Sequence, residues 1–243
     1  MNDHIEKISD LKKLLSKKIF QKILLISGKK SFYKTGADKI FLDLLKEKNF
    51  HLYLKKSYLP EFEELKNIIT IKQKIKPDLI IAVGGGCVMD LSKISSVFHE
   101  TKNLKEKAIN SDFSKKIKVL AIPTTAGSGA EVTSNAVIYI KNIKYSVEGE
   151  LIKPDYFFLI PKLLKSSNLV LDATTCFDAV SQSIESMFSK KSNNESLFHA
   201  EKSLKILLKN SFNYINSKNL KNSYKMLVGA NLAGRAINIS KTI

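Results

Sequence analysis

A chain of 243 residues that is 44% hydrophobic and 26% charged can bury a substantial core, and no apolar run in it reaches the ~20 residues of a membrane span. Two cysteines, Cys87 and Cys176, are too few for a disulfide framework and point to a reducing, cytoplasmic setting. The net charge of +17 is almost all lysine, spread along the chain with Arg235 the only arginine; this argues against nucleic acid, whose bidentate recognition favours arginine, and for anionic small molecules near a cleft.

The N-terminus, MNDHIEKISDLKKLL, lacks the uninterrupted apolar core of a signal peptide. Ile5, Ile8, Leu11, Leu14 and Leu15 lie among lysines at the spacing of a short amphipathic helix over 5–18. Ile23–Ile26 reads as the first buried strand, with Gly28 after it and a helix through Ile40, Leu44 and Leu45. His51–Leu54 and Phe62–Lys74 repeat strand and helix. Next, Pro77 and Asp78 break the preceding segment, and Leu79–Val83 is a continuous apolar run of strand length. Gly84-Gly85-Gly86 follows at once, and Val88, Leu91, Ile94 and Val97 set a helical pattern. Glycines let the backbone approach an anion closely, and first-turn N–H groups point at it. Residues 79–98 therefore read as a phosphate cradle.

Val119–Ile122, stopped by Pro123, is a fourth strand. Strands alternating with helices predict a Rossmann-like α/β region, a doubly wound and largely parallel sheet with ligands at the strands' carboxyl ends. The loops at Gly28, Gly84 and Thr124 should then converge on one crevice. The loop TTAGSGAEVT at 124–133 is small and hydroxyl-rich, and 137–140 with 144–147 reads as a hairpin across Lys141 and Asn142. Residues 157–160 form a last strand ending at Pro161; beyond Leu163 only helices follow, about 172–189, 194–210 and 219–238. An α/β domain, 1–161, is thus expected before an all-helical one, 162–243.

AVGGGCVMDLSK at 82–93, AIPTTAGSGAEVT at 121–133 and the helix Cys176–Ser186 stand in an order and at separations that together resemble the iron-containing alcohol dehydrogenases, relatives of dehydroquinate synthase and glycerol dehydrogenase. The resemblance covers essentially the whole chain. It implies a cleft between the two domains holding NAD or NADP and a divalent metal, iron or zinc, in a homo-oligomer. The implied reaction is hydride transfer between nicotinamide and a small alcohol or aldehyde, with no nucleic-acid or membrane partner. Carried over by residue, Gly84, Gly85 and Gly86 would wrap the pyrophosphate. Cys87 takes a position usually held by serine, and a thiol is the weaker donor. Asp90 would face the ribose or nicotinamide end, Thr124 and Thr125 would hydrogen-bond the cofactor with Ser128 nearby, and Lys144 would reach the ribose side. Each has a plainer reading: an acid on a helix N-terminus, hydroxyls serving their own turn, and a solvated lysine.

In the resembled family an acid typically follows the first strand and binds the adenosine ribose. Here Gly28 stands there, with Lys29, Lys30 and Ser31 beside it, so a 2′-phosphate should be accepted. The metal would be faced by Asp178 and Gln182, one helical turn apart on one side. The second position is usually histidine, a better ligand than an amide, and Asp178 also reads as a cap or a buried, hydrogen-bonded acid. His4, His51, His99 and His199 have no ligand-spaced partners. The family's two further metal-binding histidines would follow NLAGRAINISKTI, where the chain stops at Ile243; the resemblance therefore implies a C-terminally truncated member. SGKKSFYKTGA, Gln182 and RAINISKT further resemble a branch that reduces phosphonoacetaldehyde, an anionic aldehyde. Two alternatives stay open: a nucleotide-binding remnant without catalysis, and a dehydroquinate-synthase-like lyase. No catalytic residue is assigned.

Overall fold

The structure, a computed structural model, describes residues 8–113, 116–164 and 168–241; Ile5 and His4 lie outside them. In chain order the first elements are α1 (Ile8–Leu15), β1 (Lys22–Gly28), α2 (Lys29–Lys34), α3 (Ala37–Leu45), β2 (Asn49–Lys55), α4 (Phe62–Ile75) and β3 (Leu79–Gly84). Then come α5 (Gly86–Val97), α6 (Leu104–Ile109), β4 (Lys118–Pro123), β5 (Asn135–Ile140), β6 (Ile143–Glu148) and β7 (Tyr156–Phe157). Three long helices follow: α7 (Leu169–Phe188), α8 (Asn194–Asn216) and α9 (Leu220–Ser240).

The apolar runs form a five-stranded sheet in the order β2-β1-β3-β4-β7, each neighbouring pair parallel. Such strands are covered on both faces. Leu24, Ile26, Ile80, Ala82, Val119 and Ala121 point into a core shared with α4 and α5, which continues through Cys176, Ala179, Leu207 and Met226 of the helical region. The alternate residues Ile23, Leu25, Leu79, Ile81, Val83, Leu120 and Ile122 face α1 and α3. The sheet is thus the expected doubly wound one. β5 and β6 pair antiparallel outside it, and Lys141 and Asn142 turn the hairpin at φ 50° and 64°, the left-handed pair that matches strand twist in a two-residue turn.

Three local expectations change. The expected helix through Ile40, Leu44 and Leu45 is α3, but a further short helix, α2, precedes it and is parted from it at Gly36, φ +76°. The last strand pairs only at Tyr156 and Phe157; Phe158 N still donates to Ala121 O at 2.9 Å, after which Pro161 opens a 3₁₀ turn. Leu159 and Ile160 are buried by packing and not by pairing. Helix α6 was not foreseen; it buries only Leu104 and Ala108, too few positions to show a period.

Lys72 of α4 is buried, with its ammonium on the carbonyls of Ser95 and Phe98 at the end of α5. Burial holds its pKa at about 7. The folded value lies below the unfolded one, so between about pH 7 and 10.5 the unfolded chain binds the extra proton and stability rises with pH. Lys72→Met should remove that rise, seen as a flatter pH dependence of the urea midpoint than the parent protein shows.

Candidate functional site

From β1 the chain steps outward to β2 and then returns across β1 to β3. The sheet changes direction between β1 and β3, where open α/β sheets form their crevice at the strands' carboxyl ends. Gly28 closes β1, Gly84 closes β3 and Thr124 follows β4. Thr124 N donates to Gly84 O at 3.0 Å, tying two of these loops edge to edge. All three predicted loops therefore meet at one rim.

The glycine turn is shaped by what stands around it. A Cβ on Gly84 would lie 2.6 Å from Val88, because the first turn of α5 sits directly over the strand end. A Cβ on Gly85 would come within 3.2 Å of Thr125 Oγ1, and one on Gly86 within 3.1 Å of Ser128 Oγ. The hydroxyls of Thr125 and Ser128 thus form the wall opposite the glycines. Gly85 caps α5 without any side-chain hydrogen bond, whereas Asn168, Asn193 and Asn219 cap α7, α8 and α9. Val88 N already donates to Gly85 O at 3.0 Å, so it is the N–H groups of Gly86 and Cys87, ahead of it in the first turn of α5, that stand beside this gap at the positive end of the helix dipole.

Around Gly28 the rim is basic. Lys55 is its register partner on β2 and is buried with its ammonium on Ser57 O. Lys30 Nζ lies 3.4 Å from the Tyr58 hydroxyl, and Ser31 Oγ donates to Gly28 O at 3.2 Å. Cys87 is half-buried beside Lys55; burial pushes its thiol up, and the ammonium partly offsets this. Asp90 lies beyond the first turn of α5, so the reading of it as a helix-N-terminal acid is corrected. Burial raises its carboxyl to about 6, while Lys93, a hydrogen bond from the Val137 backbone and Lys144 oppose the rise. Lys144, exposed on β6, thereby belongs to the surroundings of Asp90.

Two residues with no assigned role in the sequence complete this side. Lys93 is 0% exposed and donates to Ala130 O at 3.0 Å, Thr133 Oγ1 at 2.9 Å and Asn135 O. Glu131, also buried, accepts from Asn231 Nδ2 of α9 at 2.9 Å, and Arg235 Nε donates to Asn231 Oδ1 at 2.9 Å. The only sequence signal was a lysine one turn after Asp90 on a helix otherwise rich in buried positions.

The helical region approaches through small residues. A Cβ on Gly127 would meet Thr175 of α7 at 2.8 Å. Asp178 and Gln182 follow Thr175 along the helix, with Gln182 Nε2 donating to Asp178 Oδ1 at 3.2 Å. Burial raises the Asp178 carboxyl, and Gln182 Oε1 is buried without a hydrogen-bond partner. Among the described residues no three His, Cys, Asp or Glu side chains gather into a metal-binding group. His199 lies against α9, 3.9 Å from Glu195, and burial with the nearby Arg235 keeps its pKa low. Two oxygen donors fall short of the roughly three protein ligands a catalytic metal requires; these residues do not fit the metal on their own.

A family profile described as iron-containing alcohol dehydrogenase matches residues 4–161. An alcohol dehydrogenase of Thermococcus barophilus is 31% identical over 159 residues, 62% of this chain and 42% of that protein. An NADPH-dependent butanol dehydrogenase of Clostridium saccharobutylicum is 31% identical over 175 residues, 68% of this chain and 45% of that one. The chain thus spans less than half the length of these curated relatives. An iron-containing alcohol dehydrogenase structure from Thermotoga maritima superposes with a TM-score of 0.89 at 26% identity, over 98% of this chain and 67% of that one. A sulfoacetaldehyde reductase from Bifidobacterium kashiwanohense, solved with NAD+, shares the fold at a TM-score of 0.90 and 22% identity, over 100% of this chain and 67% of that one.

Proposed function

Because the chain belongs to the iron-containing alcohol dehydrogenase family, we propose that its crevice binds a nicotinamide dinucleotide for the interconversion of a small alcohol and its aldehyde. The observation that carries this reading is the gap between the uncapped α5 N-terminus at Gly85 and the hydroxyls of Thr125 and Ser128. Backbone N–H groups and a helix dipole at a glycine turn suit a pyrophosphate. In this reading Gly84, Gly85 and Gly86 let the diphosphate approach, Thr124, Thr125 and Ser128 orient it, and Cys87 contributes a weak donor. Asp90, ionised at neutral pH, accepts from a ribose hydroxyl, with Lys144 at the same end. The bound nicotinamide supplies or accepts the hydride; the protein orients it and limits water access.

Gly28, Ser31, Lys30 and Lys55 form the adenosine end in this reading. The nearby Glu64 carboxylate is taken up by the Lys56 and Ser57 N–H groups and the Tyr53 hydroxyl, so the cations Lys30 and Lys55 set the charge of this rim and favour NADPH over NADH. Gly28 has an extended backbone at φ −79° that any residue adopts, and a Cβ there would meet only the movable Ser31 Oγ, at 2.7 Å. Gly28→Asp should therefore fold normally and invert the preference, weakening NADPH at least tenfold in fluorescence titration and improving NADH. A parent protein that binds neither nucleotide would sink the reading.

The excess of cations suits an anionic aldehyde of the phosphonoacetaldehyde type, and we place the protein in the cytoplasm as a homo-oligomer. Asp178 and Gln182 remain the pair that would face the family's metal. Their number favours a second reading, nucleotide binding without turnover. Adding Fe²⁺, Zn²⁺ or Mn²⁺ during the same titrations separates the two: turnover supports the dehydrogenase, and binding without turnover supports the second.

A further inference from the structure

A buried lysine normally has a carboxylate partner that explains it. Lys93 spends all three ammonium hydrogens instead on one short stretch of chain: Ala130 O, Thr133 Oγ1 and Asn135 O. Lys93 belongs to α5, whose N-terminus is the glycine turn. The stretch it holds continues directly from Thr124, Thr125 and Ser128. The two walls of the crevice are thus joined behind it by one cation. Burial lowers the Lys93 pKa to about 8, and the nearby Asp90 and Glu131 carboxylates oppose that fall. Through Glu131 and Asn231 the connection runs on to α9.

We propose that Lys93 is the positioning residue of the nucleotide crevice: by fastening 130–135 to α5 it fixes the hydroxyl wall at hydrogen-bonding range of the glycine turn. It touches no ligand itself and acts through Thr125 and Ser128. The proposal rests on the nucleotide reading of the crevice. It distinguishes two halves of the ligand, because the adenosine end lies at Gly28 and Lys55, on strands that Lys93 does not touch.

Lys93→Met keeps the length and the apolar stem of the side chain and removes the three hydrogen bonds. With the full chain, NADPH affinity should fall about tenfold, while affinity for adenosine 2′-monophosphate, which brings no 5′-phosphate to the glycine turn, changes less than twofold. A merely structural lysine would weaken both ligands together or neither. Thr133→Val removes one acceptor with the ammonium kept, so it serves even where Lys93→Met fails to fold; it should lower NADPH affinity about threefold and again spare the monophosphate. Unchanged NADPH affinity in either folded variant overturns the proposal, and so does parallel loss of both ligands in either. A parent chain that binds no NADPH overturns the crevice reading beneath it, which the two variants by themselves do not.

Discussion

Gly85→Asp should abolish nicotinamide-nucleotide binding and leave the protein at least as stable as before. Gly85 is the N-cap of α5, extended at φ −82° with no side-chain cap. An aspartate is among the best residues for that position, adding roughly a few tenths of a kcal/mol over glycine through a bond to a first-turn N–H. A Cβ there meets Thr125 Oγ1 at 3.2 Å, a hydroxyl that gives way by rotation. The new carboxylate then occupies the place proposed for the diphosphate and takes its N–H donors. Two like charges about 4 Å apart near a protein surface repel by ~4 kcal/mol, so a loss of two or more orders of magnitude in NADPH affinity is expected. Calorimetric titration beside a thermal melt checks both halves. Wild-type affinity in this variant would rule out the glycine turn as the phosphate site.

The second large effect concerns the junction of the two regions. Gly129 has φ +57°, and a Cβ there would lie 2.6 Å from Gly234 Cα, 2.7 Å from Ala230 O and 2.8 Å from Gly234 N. All three are backbone atoms of α9, so no side chain can swing aside. The reverse holds at Gly234, whose Cβ would meet Gly129 O at 2.6 Å. Gly129→Ala combines backbone strain with a forced retreat of α9 and should cost about 3 kcal/mol or more. Gly234→Ala should cost a similar amount. Because both changes push the same surfaces apart, the double variant should lose less than their sum. Urea unfolding of the three variants measures this; a loss under about 1 kcal/mol for Gly129→Ala would mean that the contact yields easily.

These two glycines differ in how readable they were. Gly85 sits between an apolar run and a helical period, and that local pattern announces a strand, a turn and a helix N-terminus without knowledge of anything distant. Gly129 sits in a loop of small residues whose purpose the local chain does not reveal. Its partner on α9 is remote in sequence, as is the contact that joins Glu131 to Asn231 across 100 residues. Lys93 is similar. In sequence it resembles any of the many lysines here, and only its three acceptors on 130–135 separate it from a solvated one. Lys144 tells the opposite story: named from the sequence, it lies exposed on β6, and its tie to the crevice is its charge near Asp90.

The sequence by itself determined the order of strands and helices, the parallel sheet and the three loops at its carboxyl edge, because hydrophobic periods and glycine turns are set by near neighbours. Only the tertiary structure decided which hydroxyls face which glycines, how a buried cation joins them and where the helical region closes on the loop. Those contacts depend on the register between elements far apart in the chain, and no local pattern carries that register.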